Sequence, residues 1–294
     1  MIKHWILALR LKTLTAAVVP ILVGTTLAIS LGYPIQNWIT ICALLASLFI
    51  QIGTNLINDA MDFKKGADTQ ERIGPVRITQ SGKASYRSVL LLGIFFFFLA
   101  LAVGIPLALK GGTPIVIIGL LSLLCGYAYT GGPYPLAYHG LGDLFVILFF
   151  GVIAVSGMTY LHSNEWRMEA LVAGLQIGAL ATILIAINNF RDVAGDTLVN
   201  KKTLAVRFGP RFVRSEIVGL IFLAFLLNYY WWEKGYKLPV ILSFCCLPLG
   251  VIVIKNILSQ QPSSQYNQYL AQSALLHLLF GTLLSLGFYF PLSL

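Results

Sequence analysis

The sequence predicts an all-α integral membrane protein with about nine transmembrane helices. Of its 294 residues, 57% are hydrophobic and only 11% are charged, and the mean hydropathy is +0.82. A soluble globular domain normally has about 25% charged residues. The apolar residues also form repeated runs of roughly the 17 to 25 residues that a helix needs to cross a bilayer. We therefore expect one polytopic membrane domain over residues 1–294.

The spans follow from the positions of these apolar runs. The N-terminus lacks a short apolar region followed by a small-residue cleavage site, so we expect the first run to be a retained helix. The predicted helices cover residues 14–31, 38–58, 87–109, 114–130, 142–162, 168–190, 212–232, 238–256 and 269–290.

The basic residues predict the orientation of these spans. The net charge of +9 comes from bases in the loops between apolar runs, which favours a bilayer over nucleic acid as the partner. Of the twenty Lys and Arg residues, sixteen lie on the same side of the membrane as the N-terminus, and only Lys110, Arg167, Lys234 and Lys237 lie on the opposite side. The positive-inside rule then places the N-terminus in the cytosol, and an odd number of spans places the C-terminus outside.

Acidic residues concentrate at the cytosolic ends of two predicted helices. The first cluster, NLINDAMD, pairs Asn55 with Asp59 and Asn58 with Asp62 at a spacing of four, so each pair shares a helix face. Asp68 follows six positions after Asp62. Ionisable residues are costly at membrane depth and usually functional, so these clusters indicate a site.

The second cluster, NNFRDVAGD, repeats this spacing four helices later, at Asn188, Asp192 and Asp196. This weak duplication suggests two similar helical halves that face each other across a central cavity. Carboxylate and amide oxygens are the ligands that Mg²⁺ prefers, usually together with substrate phosphate. Two such faces predict a site for Mg²⁺ and a diphosphate whose departing charge is neutralised.

Bases in the same loops are candidate contacts for the diphosphate, with Arg offering a planar fork and Lys a point charge. They are Arg72, Arg77, Lys83, Lys201 and Lys202. Each base has an alternative role as a topology determinant that contacts anionic lipid. Tyr129, in a loop rich in Gly and Pro, is a further candidate, although tyrosines are enriched at membrane interfaces in any case.

The two acidic motifs together resemble those of the UbiA superfamily of intramembrane prenyltransferases. Four longer stretches resemble its 1,4-dihydroxy-2-naphthoate prenyltransferase branch: Asn55–Thr69, Gly74–Gly82 (GPVRITQSG), Tyr129–Phe150 and Asn188–Gly209. Many superfamily members have D-x-x-x-D in the first motif, whereas this chain has the longer spacing from Asp62 to Asp68, as the naphthoate branch does.

The resemblance implies nine helices around a central cavity that is capped by cytosolic loops and opens sideways to lipid. Asp59, Asp62, Asp192 and Asp196 match the catalytic residues that bind Mg²⁺ and diphosphate, and Asp68 is a further candidate ligand. Asn55 and Asn188 match the leading amides, while Arg77 and Lys202 match basic positions. The implied reaction is Mg²⁺-dependent transfer of a polyprenyl group to 1,4-dihydroxy-2-naphthoate, with loss of diphosphate and CO₂, in the inner or plasma membrane.

Other functions stay open at this point. A related enzyme would use another acceptor, such as 4-hydroxybenzoate, homogentisate, haem or chlorophyllide. A secondary transporter would place its ionisable groups near the bilayer midplane, whereas these lie at helix ends. A quinone-binding subunit without catalytic activity would not need two carboxylate clusters beside phosphate-binding bases.

Overall fold

All regular secondary structure in the described residues is helical. The structure is a computed structural model that describes residue 5, residues 9–67 and residues 73–290. Its helices are α1 (Leu11–Ser30), α2 (Asn37–Lys64), α3 (Tyr86–Ala128), α4 (Gly142–Ser163), α5 (Met168–Arg191), α6 (Val193–Leu198), α7 (Leu204–Leu226), α8 (Asn228–Glu233), α9 (Lys237–Phe244), α10 (Leu247–Ser259) and α11 (Tyr266–Tyr289). A short 3₁₀ helix covers Leu136–His139.

The segment α3 consists of two membrane-spanning helices that form a hairpin. Its 43 residues would extend about 64 Å as a straight helix, which is twice the thickness of a hydrocarbon core. The chain reverses at Gly112, where φ is 66° and ψ is −157°, just before Pro114. Both halves therefore lie beside α2: a Cβ added at Gly126 would meet Thr54 on α2 at 2.7 Å and Phe97 in the first half of α3 at 3.1 Å.

With this reversal, the described residues contain nine membrane crossings. Seven helical segments are long and apolar enough to span a membrane, with α7 and α8 counted as one segment. Of these seven, α3 crosses twice, and the pair α9 and α10, bent by 43°, provides the ninth crossing. The prediction of an all-α membrane protein with about nine helices is confirmed, and the predicted break between residues 109 and 114 includes Gly112. The division of the chain into one domain stays a prediction.

Two helices begin or end where the apolar runs do not. The helix α2 continues past the predicted end at residue 58 to Lys64. Its last turns are polar, so the apolar run ends before the helix does, and Asp59 and Asp62 in these turns are buried against neighbouring loops. The helix α7 begins at Leu204, before the predicted residue 212, with the Thr203 hydroxyl accepting from the backbone N–H of Val206 as an N-cap. A break at Gly209, where φ is 75°, then separates this first turn from the membrane span.

The helix α5 is at the centre of the bundle and packs against α1, α4, α7 and α11. Its contact with α4 depends on glycines: a Cβ added at Gly151 of α4 would collide with the backbone of Gly174 and Gly178. Small residues allow such close approach of helices in membranes. The crossing therefore brings α4 close to the first half of α5, whose other end carries the second acidic motif.

A buried polar network joins α5 to the break between α7 and α8. Gln176 donates from Nε2 to Asn228 Oδ1 at 3.0 Å and accepts at Oε1 from Trp231 Nε1 at 2.6 Å. Asn228 in turn donates to Ser243 Oγ of α9 at 2.9 Å. All four side chains are essentially inaccessible to solvent. Because every member has partners, the network stabilises the bend of the chain at this point.

Candidate active site

The first acidic motif lies on the last turns of α2 and is almost completely enclosed. Asp59 is 1% exposed and Asp62 is 3% exposed. The Asp59 carboxylate accepts hydrogen bonds from the backbone N–H groups of Ile78 and Thr79, each at 3.2 Å, and from the Thr79 hydroxyl. These bonds fold the loop after residue 73 over the end of α2.

Asp62 is at the centre of the described polar cluster. Its Oδ2 atom is 2.9 Å from Nη1 of Arg77, and its Oδ1 atom accepts from the Tyr138 hydroxyl at 3.0 Å. The same Arg77 nitrogen donates to the carbonyl of Asn58 at 3.1 Å. Two loops, that of residues 73–85 and that which follows α3, therefore both contact α2 at the Asp62 carboxylate.

The two asparagines of this motif have different contacts. Asn58 Oδ1 accepts from the Thr130 hydroxyl at 2.6 Å, beside Asp62. Asn55 lies one turn deeper and donates to the carbonyl of Leu9 at 3.0 Å and to the Thr13 hydroxyl at 3.1 Å. Asn58 is thus part of the polar cluster, whereas Asn55 ties α2 to the start of α1.

The second acidic motif surrounds a buried arginine at the end of α5. Arg191, which is 1% exposed, donates from Nε and Nη2 to the two oxygens of Asp192, each at 2.7 Å. Its Nη2 atom also reaches Asn188 Oδ1 at 2.7 Å, and Nη1 reaches Asn267 Oδ1 of α11 at 2.8 Å. This two-pronged pairing fixes the orientation of the Asp192 carboxylate.

Asp196, on the short helix α6, has a free oxygen. Its Oδ1 atom is 3.2 Å from Nζ of Lys201, but within the described part of the chain Oδ2 is buried without a hydrogen-bond partner. Burial raises the pKa of the Asp196 carboxyl to about 6, Lys201 acts in the opposite direction, and the charges of Asp192 and Asp62 raise it further. A buried oxygen without a partner is a position that a cation would stabilise.

Tyr138 brings the two motifs together. Its hydroxyl donates to Asp62 of the first motif, and its backbone carbonyl accepts from the N–H of Lys202 at 3.0 Å, just after the second motif. Two ammonium groups lie near its ring: Lys65 Nζ is 4.3 Å and Lys201 Nζ is 5.8 Å from the centroid. Burial, with a further contribution from Asp62, raises the pKa of the phenol, so Tyr138 stays a hydrogen-bond donor.

An apolar cavity of about 290 Å³ lies between α1, α2, both halves of α3, and α4. Tyr129 and Thr54 line it near the acidic cluster, and Leu107, Ile115 and Leu161 line its far part. Tyr129 immediately precedes Thr130, whose hydroxyl donates to Asn58 of the acidic cluster, so Tyr129 lies between this cluster and the cavity that it lines. The arrangement suits an amphiphile with an anionic head and a long hydrocarbon tail.

Two predicted contact residues lie away from this cluster. The side chains of Lys83 and Lys202 are exposed, and Lys202 contributes through its backbone. Asp68 and Arg72 lie outside the described residues. The other predicted residues, Asn58, Asp59, Asp62, Arg77, Tyr129, Asn188, Asp192, Asp196 and Lys201, lie in or beside the site, and Asn55 lies one turn below it.

Several residues of the site did not stand out in the sequence. Tyr138 and Thr130 are single polar residues in a loop, and only the fold brings them to α2. Lys65, whose Nζ donates to the Thr130 carbonyl at 2.7 Å, is one of many bases in the loops, and nothing in its sequence context separates it from the others. Arg191 could have been singled out, because an arginine inside an acidic motif at the end of an apolar run needs a partner.

The oxygen donors of the site fit Mg²⁺. Asp196 offers an unpartnered carboxylate oxygen, and the carboxylates of Asp62 and Asp192 lie close enough for their charges to raise the pKa of Asp196. The described residues contain no group of three or more His, Cys, Asp or Glu that would form a complete protein cage. A site with few protein ligands is typical of Mg²⁺, which keeps positions for water and substrate phosphate.

Comparison with known sequences gives the family. The profile described as the UbiA prenyltransferase family matches residues 17–289. The chain belongs to the UbiA prenyltransferase family. It is 31% identical to the 1,4-dihydroxy-2-naphthoate octaprenyltransferase of Haemophilus influenzae, over 97% of this chain and 96% of that protein. It is also 36% identical to the enzyme of the same name from Escherichia coli, over 70% of this chain and 69% of the relative.

The fold of this UbiA family member is also that of a solved structure. A UbiA homolog from Archaeoglobus fulgidus bound to GPP and Mg²⁺ matches with a TM-score of 0.66, over 97% of this chain and 99% of that one, at 16% identity. The family match and the naphthoate relatives confirm the predicted resemblance to the superfamily and the prediction that this chain is a membrane prenyltransferase.

Proposed function

We propose that this chain transfers a polyprenyl group from a polyprenyl diphosphate to 1,4-dihydroxy-2-naphthoate, releasing diphosphate and CO₂. The observation that carries the proposal is the position of the acidic and basic cluster beside the apolar cavity, with Tyr129 lining the boundary. The naphthoate acceptor is supported by relatives of that name, one of which aligns over nearly the whole chain. The product is a demethylmenaquinol.

In the first step, the bond between the allylic carbon and the diphosphate oxygen breaks, and its electron pair leaves with diphosphate. When bound, Mg²⁺ supplies electrostatic stabilisation of the departing charge. Asp62, Asp192 and Asp196 would hold it, with Asn188 beside them. Arg77 and Lys201, each already paired with a carboxylate, would contact the diphosphate oxygens. Tyr138 and Arg191 orient the carboxylates of Asp62 and Asp192.

In the second step, the electron-rich naphthoate ring attacks the allylic carbon through the carbon that carries the carboxylate. The bond to the carboxylate then breaks, CO₂ leaves, and the electron pair restores the aromatic ring. No external oxidant or reductant is needed. The apolar lining of the cavity excludes water from the allylic cation, and its aromatic residues, including Phe145 and Phe149, would stabilise the cation.

The location follows from the same proposal. The chain crosses the membrane many times, and we propose that it lies in the inner or plasma membrane with the acidic cluster facing the cytosol. Its soluble substrate would then reach the site from the cytosol, and the polyprenyl tail would enter from the bilayer. The test measures cysteine accessibility in sealed vesicles with a thiol reagent that cannot cross the membrane. The cysteine of Lys83→Cys should react from the cytosolic side, and the cysteine of Trp166→Cys should react from the opposite side, since both positions are exposed.

The function is tested with purified protein in detergent, supplied with Mg²⁺, a polyprenyl diphosphate and either 1,4-dihydroxy-2-naphthoate or 4-hydroxybenzoate. Prenylated product from the naphthoate alone supports the proposal. Metal-dependent product from 4-hydroxybenzoate instead would move the enzyme to another acceptor while keeping the chemistry of the donor. Asp196→Asn should abolish turnover, and Glu233→Gln, which changes an exposed carboxylate on α8, is the matched control.

A further inference from the structure

Asp59 differs from Asp62 and Asp192 in the kind of donor that it binds. Those two carboxylates pair with arginine side chains, whereas two of the three donors to Asp59 are backbone N–H groups of one loop. Oδ2 accepts from the N–H of Ile78, and Oδ1 accepts from both the N–H and the hydroxyl of Thr79. The Thr79 hydroxyl also lies 3.2 Å from the backbone carbonyl of Asp59. The side chain is 1% exposed. Hydrogen bonds to an ionised carboxylate are among the strong ones, so these contacts hold the loop firmly.

The loop held by Asp59 is a compact turn. The N–H of Ser81 donates to the carbonyl of Arg77, and the N–H of Gly82 donates to the carbonyl of Thr79, each at 3.0 Å. Gln80 Oε1 accepts from the N–H of Arg77 at 3.3 Å. The turn has no regular helix or strand to define it, so its position on α2 depends on side-chain contacts such as those of Asp59.

This turn carries Arg77 into the site. Arg77 immediately precedes the two residues that Asp59 binds, and its guanidinium reaches Asp62 Oδ2 and the Asn58 carbonyl. Only 8% of Arg77 is exposed. A shift of the turn would therefore move the one guanidinium that the described residues place against Asp62.

Asp196 shows the contrasting arrangement. It has one oxygen without a partner, which a metal ion can occupy without breaking any contact. A metal bound through Asp59 would instead compete with two backbone N–H groups and a hydroxyl, and any donor that it displaced would stay buried. Asp62 also accepts at both oxygens, but from the side chains of Arg77 and Tyr138, which can rotate as the backbone N–H groups of the turn cannot. Buried donors without partners are strongly disfavoured.

We propose that Asp59 is a positioning residue that holds the turn of Arg77 and does not ligate Mg²⁺. Its effect on the reaction passes through Arg77, which it fixes beside Asp62 in position to bind the diphosphate. The inference rests on the proposed function for the identity of the diphosphate site. It replaces the expectation from sequence that Asp59 binds the metal directly.

The first experiment separates metal binding from diphosphate binding in the purified full-length protein. Mn²⁺ is titrated by EPR at saturating inorganic diphosphate, and diphosphate is titrated at saturating Mn²⁺. For Asp59→Asn we expect an unchanged Mn²⁺ affinity and about a tenfold weaker diphosphate affinity, as for the loss of one charge-assisted contact. For Asp196→Asn we expect the Mn²⁺ affinity to fall by about tenfold or more.

The second experiment reads the turn itself by hydrogen exchange of the peptide that contains residues 76–82. Asp59→Asn should raise the exchange of the Ile78 and Thr79 amides, whereas Asp196→Asn should leave it unchanged. Thr79→Val removes only the hydroxyl contact and should change both measurements in the same direction as Asp59→Asn, by less. Thr79→Ser keeps the hydroxyl and should resemble the unmodified protein, which excludes a general loss of folding.

A loss of Mn²⁺ affinity in Asp59→Asn with no change in exchange at residues 78 and 79 would overturn the inference. Neither experiment contains an acceptor or requires turnover. If the enzyme uses an acceptor other than the naphthoate, these results are unaffected. The failure of the proposed function and the failure of this inference are therefore distinguishable.

Discussion

The hydroxyl of Tyr138 donates a hydrogen bond to Oδ1 of Asp62 at 3.0 Å, across 76 positions of the sequence. This contact connects the loop that follows the α3 hairpin to the acidic end of α2. The carbonyl of the same tyrosine accepts from Lys202, so one residue joins the neighbourhoods of both acidic motifs. The relative position of the two motifs therefore depends on Tyr138 as well as on the packing of the helices.

Tyr138→Phe removes this hydroxyl and keeps the ring. We expect kcat/KM for the polyprenyl diphosphate to fall by about ten- to a hundredfold, because a hydrogen bond to a charged group contributes roughly 1.5 to 3 kcal/mol. The steady-state rate at varied donor concentration measures this. Tyr134→Phe, in the same loop but 58% exposed, is the control and should keep its rate. Equal rates for both variants would show that the Tyr138 hydroxyl does not orient Asp62.

Arg191→Lys keeps the positive charge inside the second motif but removes the planar fork. Lysine cannot contact both Asp192 oxygens, Asn188 and Asn267 at once, so the Asp192 carboxylate should lose its fixed orientation. We expect turnover to fall by about tenfold or more and the melting temperature in detergent to decrease. Arg211→Lys, at an exposed position of α7, should change neither property. A fully active Arg191→Lys protein would contradict the orienting role.

The first of these predictions concerns Tyr138, a residue that a single sequence reveals poorly. Apolar runs predicted the helices because the bilayer imposes a length on each span, and the spacing of four predicted that Asn58 and Asp62 share a face. The reversal at Gly112 also follows from the sequence, since two spans need a turn between them. By contrast, Tyr138 and Thr130 belong to a loop without a repeating pattern, and their contacts depend on where the hairpin places that loop.

The buried network around Gln176 should contribute to stability and not to chemistry. Gln176→Leu leaves Trp231 Nε1 and Asn228 Oδ1 without their Gln176 partner, which costs about 1 to 3 kcal/mol for each buried group. We expect a clear decrease in thermal stability in detergent, measured by tryptophan fluorescence, with normal turnover well below the transition. Gln261→Leu, at an exposed position, is the control. An unchanged melting temperature would mean that the network does not support the fold.

The cavity should distinguish long donors from short ones. Gly157 lines it, and a Cβ added there would make an ordinary contact of 3.6 Å with Ile118, so a larger side chain extends into the cavity without a backbone collision. For Gly157→Leu we expect kcat/KM to decrease about tenfold more for a long polyprenyl diphosphate than for a five-carbon donor. Gly219→Leu is the control, because a Cβ added there meets no atom within 4 Å and Gly219 does not line the cavity. Equal losses for both donors would place the tail elsewhere.

The most direct test of the central claim is the stoichiometry of a single reaction. The purified enzyme is given Mg²⁺, a polyprenyl diphosphate and 1,4-dihydroxy-2-naphthoate labelled in its carboxyl group, and released CO₂ and diphosphate are measured together. Our account predicts equal amounts of both, one of each per prenylated naphthalene, and none when the metal is chelated. Diphosphate release without labelled CO₂, or equal turnover after chelation, would contradict it.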